Sequence, residues 1–159
     1  MSVVNSTTPL LVGIGLLAAV HAAVHLLFSK SVPTAYMDEV FHFPLTASYC
    51  DGDFAAWHPK VTTPPGLYGA GAAYSAALGA LGATHGCGLT LLRSMNSAVA
   101  IATVALLAAL LRELHPRMPA ARAVLGACAL GALPTHFFFA FLWYTDVASL
   151  FLVLSAYWL

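Results

Sequence analysis

"LYGAGAAYSAALGALGA", Leu67 to Ala83, is an uncharged run of 17 residues, mostly Gly and Ala. Whether it crosses a membrane decides how the whole chain is arranged. The chain around it is 60% hydrophobic and 8% charged, against about 25% charged in a soluble domain. Such a chain reads as an all-α integral membrane protein. Its formal net charge is +0, so it lacks the basic footprint of a nucleic-acid binder.

Three other apolar runs are easier to place. Pro9 to Phe28 has 20 residues without a formal charge and no basic region before it. It reads as a retained first span rather than a cleaved signal. Leu92 to Leu111 and Ala123 to Trp143 read as the next two, with Arg112, Arg117 and Arg122 in or beside the 112–122 loop between them. Val147 to Leu159 is apolar for 13 residues, short of the roughly 20 that a span needs. It is expected to begin a fourth span of a longer protein.

If 67–83 crosses, five of the six basic residues fall on the same side as the acidic residues of the preceding loop. If it does not, the arginine loop lies opposite that acidic loop. The positive-inside rule then puts 112–122 in the cytosol and 29–91 outside or in a lumen. The second arrangement is the expectation, with 67–83 an interfacial or re-entrant helix. Gly71, Ser75 and Gly79 give it a small-residue face for close helix contact.

Loop 29–91 gathers the carboxylates. Asp38, Glu39, Asp51 and Asp53 are four of the chain's six acidic residues, and a carboxylate beside a bilayer is a functional hypothesis. Asp38 and Glu39 point about 100° apart on a helix, which suits separate roles. Two structural roles stand beside catalysis: Asp38 as the N-cap of the "EVFHF" turn, and Glu39 as an i,i+3 partner of His42. Pro59, Pro64 and Pro65 stiffen the segment that carries Lys60, Thr62, Thr63 and Tyr68. It can present one cation and several hydroxyls, or be a plain ordered loop. Arg93 and Asn96, at i and i+3, open the second span. The arginine either meets an anion, such as a lipid phosphate, or snorkels to a headgroup.

Several other features are weaker. His21 and His25 share a helix face and read as packing residues, with no third metal ligand nearby. Cys50, Cys87 and Cys128 form no zinc pattern. Cys50 and Cys87 can pair if both face an oxidising compartment. Asn5-Ser6-Thr7 matches a glycosylation sequon on the expected cytosolic side, so it reads as unused.

"YMDEVFHFP" (36–44), the pair Tyr49-Cys50, "WHPKVTTPPGLY" (57–68), "LLRSMN" (91–96) and "FFFAFLWYTDVASLFLVLSAYWL" (137–159) together resemble a known family. It is the endoplasmic-reticulum α-1,2-glucosyltransferases that use dolichyl-phosphate-glucose. The resemblance runs in order from Tyr36 to Leu159 and is weak between Gly69 and Gly88.

The resemblance implies the N-terminal part of a GT-C-type multispanning helical bundle in the reticulum membrane, with a long lumenal first loop and a lumenal active site. Asp38 falls on the family's essential aspartate, which makes it the expected general base. Glu39, His42 and Asp146 are expected to support it. Lys60 and Arg93 are the expected cations for the leaving phosphate, with Thr62, Thr63, Tyr68 and Asn96 as substrate-binding groups. The partners implied are the dolichol-linked donor and acceptor lipids, with no cofactor and no metal. The donor glucose is β-linked and the product α-linked, so one inversion and one base suffice. His58 departs from the family, which usually has an acidic residue there. The 159 residues alone are expected to be inactive.

Three alternatives remain. One is another dolichyl-phosphate-sugar transferase, such as a mannosyltransferase. Another is a non-catalytic subunit or transporter segment with Arg93 and Asp146 as a buried pair. The third is a metal protein using some of the seven histidines.

Overall fold

The computed structural model describes residues 8–83 and 86–159. The Asn5-Ser6-Thr7 sequon lies outside the described residues. The elements are α1 (Thr8–Ser31), α2 (Glu39–Cys50), α3 (Gly66–Ala80), α4 (Leu89–Leu114), α5 (Ala120–Gly131), α6 (Pro134–Phe139) and α7 (Thr145–Trp158). Two of them, α1 and α4, are long and apolar enough to cross a membrane.

Helix α4 is the hub, packing against α1, α3, α5, α6 and α7. Arg93, Asn96, Ser97, Ala100, Thr103, Val104 and Ala108 are buried along it, at spacings of three and four that form one stripe. Ala123, Val124, Ala127 and Gly131 repeat that spacing on α5. Gly131 lets α5 approach Val104 so closely that a β-carbon would clash with its methyl group. By contrast α1 buries only His21.

The expected third span at 123–143 is not one helix. Helix α5 stops at Gly131, and Leu133 turns extended at ψ 136 ahead of Pro134. Proline disfavours helical geometry in the residue before it and has no N–H to continue the ladder. Short α6 follows, and residues 140–144 then run outside any helix. Ala140 and Phe141 to Tyr144 are nevertheless buried. Irregular backbone at such depth survives only where other protein groups satisfy it. Here Ser97 Oγ donates to Ala140 O, and Asn96 Nδ2 donates to Leu142 O and Tyr144 O.

About half of the described part of the 29–91 segment is helical, so the expected loop holds a second helix besides the one at 67–83. Helix α2 runs for 12 residues through Pro44, well past the "EVFHF" turn. Helix α3 has 15 residues, about 22 Å at 1.5 Å per residue, and falls short of a bilayer core of about 30 Å. It packs mainly on α2 and less on α4. Of its expected small-residue face, Gly71 and Ser75 are buried and Gly79 is exposed. Cys50 and Cys87 are joined as a disulfide, tying the end of α2 to the segment before α4. Leu45, Leu67, Tyr68, Leu92 and Trp143 form the core beneath this cap.

Candidate active site

The connection between α1 and α2 bends sharply at Met37, which has φ 53. A non-glycine residue in that left-handed region costs about 1–2 kcal/mol, so its surroundings must hold it there. Asp38 comes next, at the N-cap position of α2. Its carbonyl oxygen accepts from Phe41 N and His42 N, but its side chain makes no capping bond. The residue is exposed, and its backbone N–H donates to Tyr144 Oη at 2.5 Å. The carboxylate therefore sits at a helix N-terminus without any task in holding the helix.

Glu39 is the opposite case, with no solvent exposure. Its Oε1 accepts from Arg93 Nε at 2.9 Å and from Trp143 N at 2.6 Å. Its Oε2 accepts from Arg93 Nη2 at 2.5 Å and from Tyr36 N at 2.9 Å. One carboxylate thus joins the segment before α2, the start of α4 and the segment before α7. The expected Glu39–His42 partnership does not form. His42 turns instead to Tyr68, with Nδ1 2.9 Å from Tyr68 Oη.

Arg93 does not reach outward as a free phosphate ligand or a snorkelling cation. It has no exposure. Besides Glu39 it donates to Val32 O at 2.7 Å and Thr34 O at 3.0 Å, and its guanidinium lies 4.9 Å from the Phe28 ring centre. The cause is tertiary. The 32–36 connection folds over the start of α4 and brings carbonyls that have no helix partner. Asn96 is likewise buried, with its amide donors engaged by the 142–144 segment, so it too is no open substrate group. Nor do Arg93 and Asp146 form a buried pair: Asp146 is exposed in the first turn of α7.

The remaining expected residues cluster around Asp38 and His42. Lys60 is exposed, with Nζ 5.5 Å from the centre of the Phe41 ring, one turn along α2 from Asp38. His58 stacks on the same ring at 5.1 Å and takes a hydrogen bond from Lys60 N. Thr63 Oγ1 lies 3.4 Å from Tyr68 Oη, and Thr62 is exposed. An apolar groove of ≈ 360 Å³ begins beside Thr63 and Thr145 and follows α7 to Leu152, with Leu67 and Met95 in its walls.

Electrostatics ties the cluster together. Burial pushes His42 below the ordinary histidine range, while the carboxylates of Asp38, Asp146 and Glu39 pull it back up. Burial pushes Tyr68 and Tyr144 upward; the contact with Thr63 opposes the rise at Tyr68, and at Tyr144 the hydrogen bond from Asp38 N–H opposes it while the same three carboxylates add to it. Both phenols stay protonated near neutral pH.

Sequence reasoning missed Thr46, Trp143 and Tyr144 as site-building residues. Trp143 Nε1 donates to Thr46 Oγ1 at 2.8 Å, and the Tyr144 ring packs edge-on against His42 at 5.6 Å. Trp143 ends the expected 123–143 span and Tyr144 follows it, and Pro134 was the available sign that the helix breaks before them. His21 does pack as expected, against Phe137 and Phe141. Among the described residues no three His, Cys, Asp or Glu side chains come together in a way that could hold a metal.

The comparisons with known proteins cover this same region. Relatives in several organisms carry the name Dol-P-Glc:Glc(2)Man(9)GlcNAc(2)-PP-Dol alpha-1,2-glucosyltransferase. The Arabidopsis thaliana protein is 41% identical over 135 residues, 79% of this chain and 26% of the relative. The Yarrowia lipolytica protein is 38% identical over 151 residues, 92% of this chain and 28% of the relative. A Homo sapiens protein is 37% identical over 138 residues, 82% of this chain and 29% of the relative. The chain thus spans between a quarter and a third of the length of these relatives. No solved structure matches it. The DIE2/ALG10 family model matches residues 32–159, from the connection that holds Asp38 to the last helix, and the chain belongs to that family.

Proposed function

We propose that this chain carries the general base of an inverting α-1,2-glucosyltransferase that moves glucose from dolichyl-phosphate-glucose to the lipid-linked oligosaccharide of N-glycan assembly. The observation that carries the reading is the contrast between adjacent carboxylates. Glu39 is buried and fully paired, while Asp38 is exposed and unpaired. Asp38 is thus the one free to take the proton from the attacking acceptor hydroxyl. Such assistance is worth roughly 10²–10⁴-fold in rate.

The leaving group is a phosphate that gains negative charge, and a preorganised cation stabilises it. Lys60 is the cation in this chain suited to that role, since it is exposed and lies over the ring of Phe41, the residue one turn along α2 from Asp38. Arg93 acts instead through Glu39, holding the Asp38 turn in place. Asp146 and His42 supply the field around the base, and Thr62, Thr63 and Tyr68 line its approach. The groove along α7 suits a hydrocarbon chain whose head lies near Thr63 and Thr145.

The site belongs on the lumenal side of the endoplasmic reticulum membrane, within a multi-pass GT-C-type bundle. Two observations support this: the arginine-rich 112–122 loop and the Cys50–Cys87 disulfide, which an oxidising compartment favours. Glycosylation acceptors inserted in the 51–58 loop and in the 115–119 loop test it. Modification of the arginine loop alone overturns it.

The activity is tested in a whole transferase carrying residues 32–159 of this sequence. Asp38→Asn should remove most transfer from dolichyl-phosphate-glucose while the protein still accumulates. Near-wild-type turnover of that variant rejects Asp38 as the base. Preference for dolichyl-phosphate-mannose in the same assay points to the mannosyltransferase reading.

A further inference from the structure

Tyr144 is the only group outside the Asp38 turn itself that bonds the Asp38 backbone within the described residues. Its hydroxyl accepts the Asp38 N–H and makes no other hydrogen bond there. The ring behind it is fixed. It packs 5.0 Å from Phe139 and 5.6 Å from His42, with 6% exposure. Its backbone carbonyl is held by Asn96 Nδ2 at 2.8 Å, which anchors the segment to α4.

Asp38 itself stands between two constraints. On one side Met37 occupies the left-handed region at φ 53, a state the chain leaves unless it is held. On the other, Glu39 is clamped by Arg93, Tyr36 N and Trp143 N. The Glu39 clamp fixes where α2 begins. The peptide plane between Met37 and Asp38 is held at its carbonyl end by Val40 N, which donates to Met37 O at 3.3 Å, and rotation of that plane would swing the Asp38 side chain. The Tyr144 hydroxyl is placed to stop it.

We propose that Tyr144 is a positioning residue for the Asp38 carboxylate, acting through the hydrogen bond from the Asp38 backbone N–H to its hydroxyl. The inference rests on Asp38 being the general base. Burial and the surrounding carboxylates raise the phenol's pKa, against the pull of the Asp38 N–H bond itself, so the hydroxyl is a neutral acceptor near neutral pH. A phenylalanine fills the same space and removes only the acceptor.

The test uses a whole transferase carrying residues 32–159, assayed with dolichyl-phosphate-glucose. Four forms are compared: wild type, Tyr144→Phe, Asp38→Asn and the double variant. Misplacing a catalytic group by about an ångström can cost about 10²-fold, so Tyr144→Phe should lower kcat by about 10- to 100-fold. KM for the donor should stay within about twofold, and in the Asp38→Asn background Tyr144→Phe should cost nothing more. A purely structural tyrosine gives the same further loss in both backgrounds. An unchanged kcat in Tyr144→Phe beside an inactive Asp38→Asn overturns this inference alone. An active Asp38→Asn overturns the reading of the base and the inference with it. A second readout needs no variant. The Asp38 amide, though on an exposed residue, should exchange hydrogen slowly in the wild-type protein, and exchange at the rate of an open loop overturns the proposal.

Discussion

Glu39 and Arg93 form a two-pronged ion pair in which neither side chain has any solvent exposure. Adjacent in sequence, Asp38 and Glu39 therefore differ completely in environment. Breaking a buried pair by removing one partner leaves an uncompensated charge and typically costs 3–5 kcal/mol.

Glu39→Gln and Arg93→Met should each lower stability by about 3–5 kcal/mol, whereas Asp38→Asn should leave it nearly unchanged. Thermal unfolding in detergent, read by circular dichroism, separates them. A small loss in Glu39→Gln would mean that the pair does not hold the cap.

Gly71 is the second sensitive point. A β-carbon there would lie 2.8 Å from both Thr46 Cγ2 and Trp143 Cζ2. Neither neighbour can yield easily, because Trp143 Nε1 is bonded to Thr46 Oγ1. Gly71→Ala should cost about 1–3 kcal/mol through overpacking. Gly79→Ala, on the exposed face of the same helix, should be neutral or slightly stabilising. Equal effects in the two would remove the argument for close packing at Gly71.

The Cys50–Cys87 bridge closes a separation of 37 residues, for which loop-closure entropy predicts about 2–4 kcal/mol of stabilisation. A Cys50→Ser/Cys87→Ser variant should unfold earlier by that amount and become insensitive to reductant. In the wild-type protein a maleimide reagent should label Cys128 first, with Cys50 and Cys87 following only after reduction. Labelling of all three before reduction contradicts the pairing.

His42 should make stability depend on pH. Burial depresses its folded pKa below the ordinary 6.5, against the pull of Asp38, Asp146 and Glu39. Below that ordinary value the unfolded chain takes up a proton that the folded protein resists, so ν is larger in the unfolded state. Stability is then fully present above about pH 6.5 and falls as pH drops toward the depressed folded value. Tyr68 and Tyr144 pack against the ring, and those three carboxylates act on it through space. His42→Gln should flatten the fall in melting temperature between about pH 7.5 and about pH 5. An identical fall in both proteins assigns it to other groups.

Local patterns in the sequence determined much of this protein. Apolar run length marked α1 and α4, and the short, weakly apolar 67–83 run marked α3, which packs mainly on α2. The motifs from Tyr36 onward marked the family. Each of these depends on neighbours within a few turns of the chain, where composition and spacing act directly. What only the tertiary structure decided was which polar groups remain available. Arg93 and Asp38 are equally plausible as functional charges in sequence. Yet Arg93 vanishes into Glu39 and two carbonyls contributed by a segment about 60 residues away, while Asp38 stays open. The 140–144 segment could leave the helix only because Ser97, Asn96 and Glu39 were brought to its backbone groups. A buried polar group must be satisfied by whatever the fold delivers, and a list of residues in order does not contain that delivery.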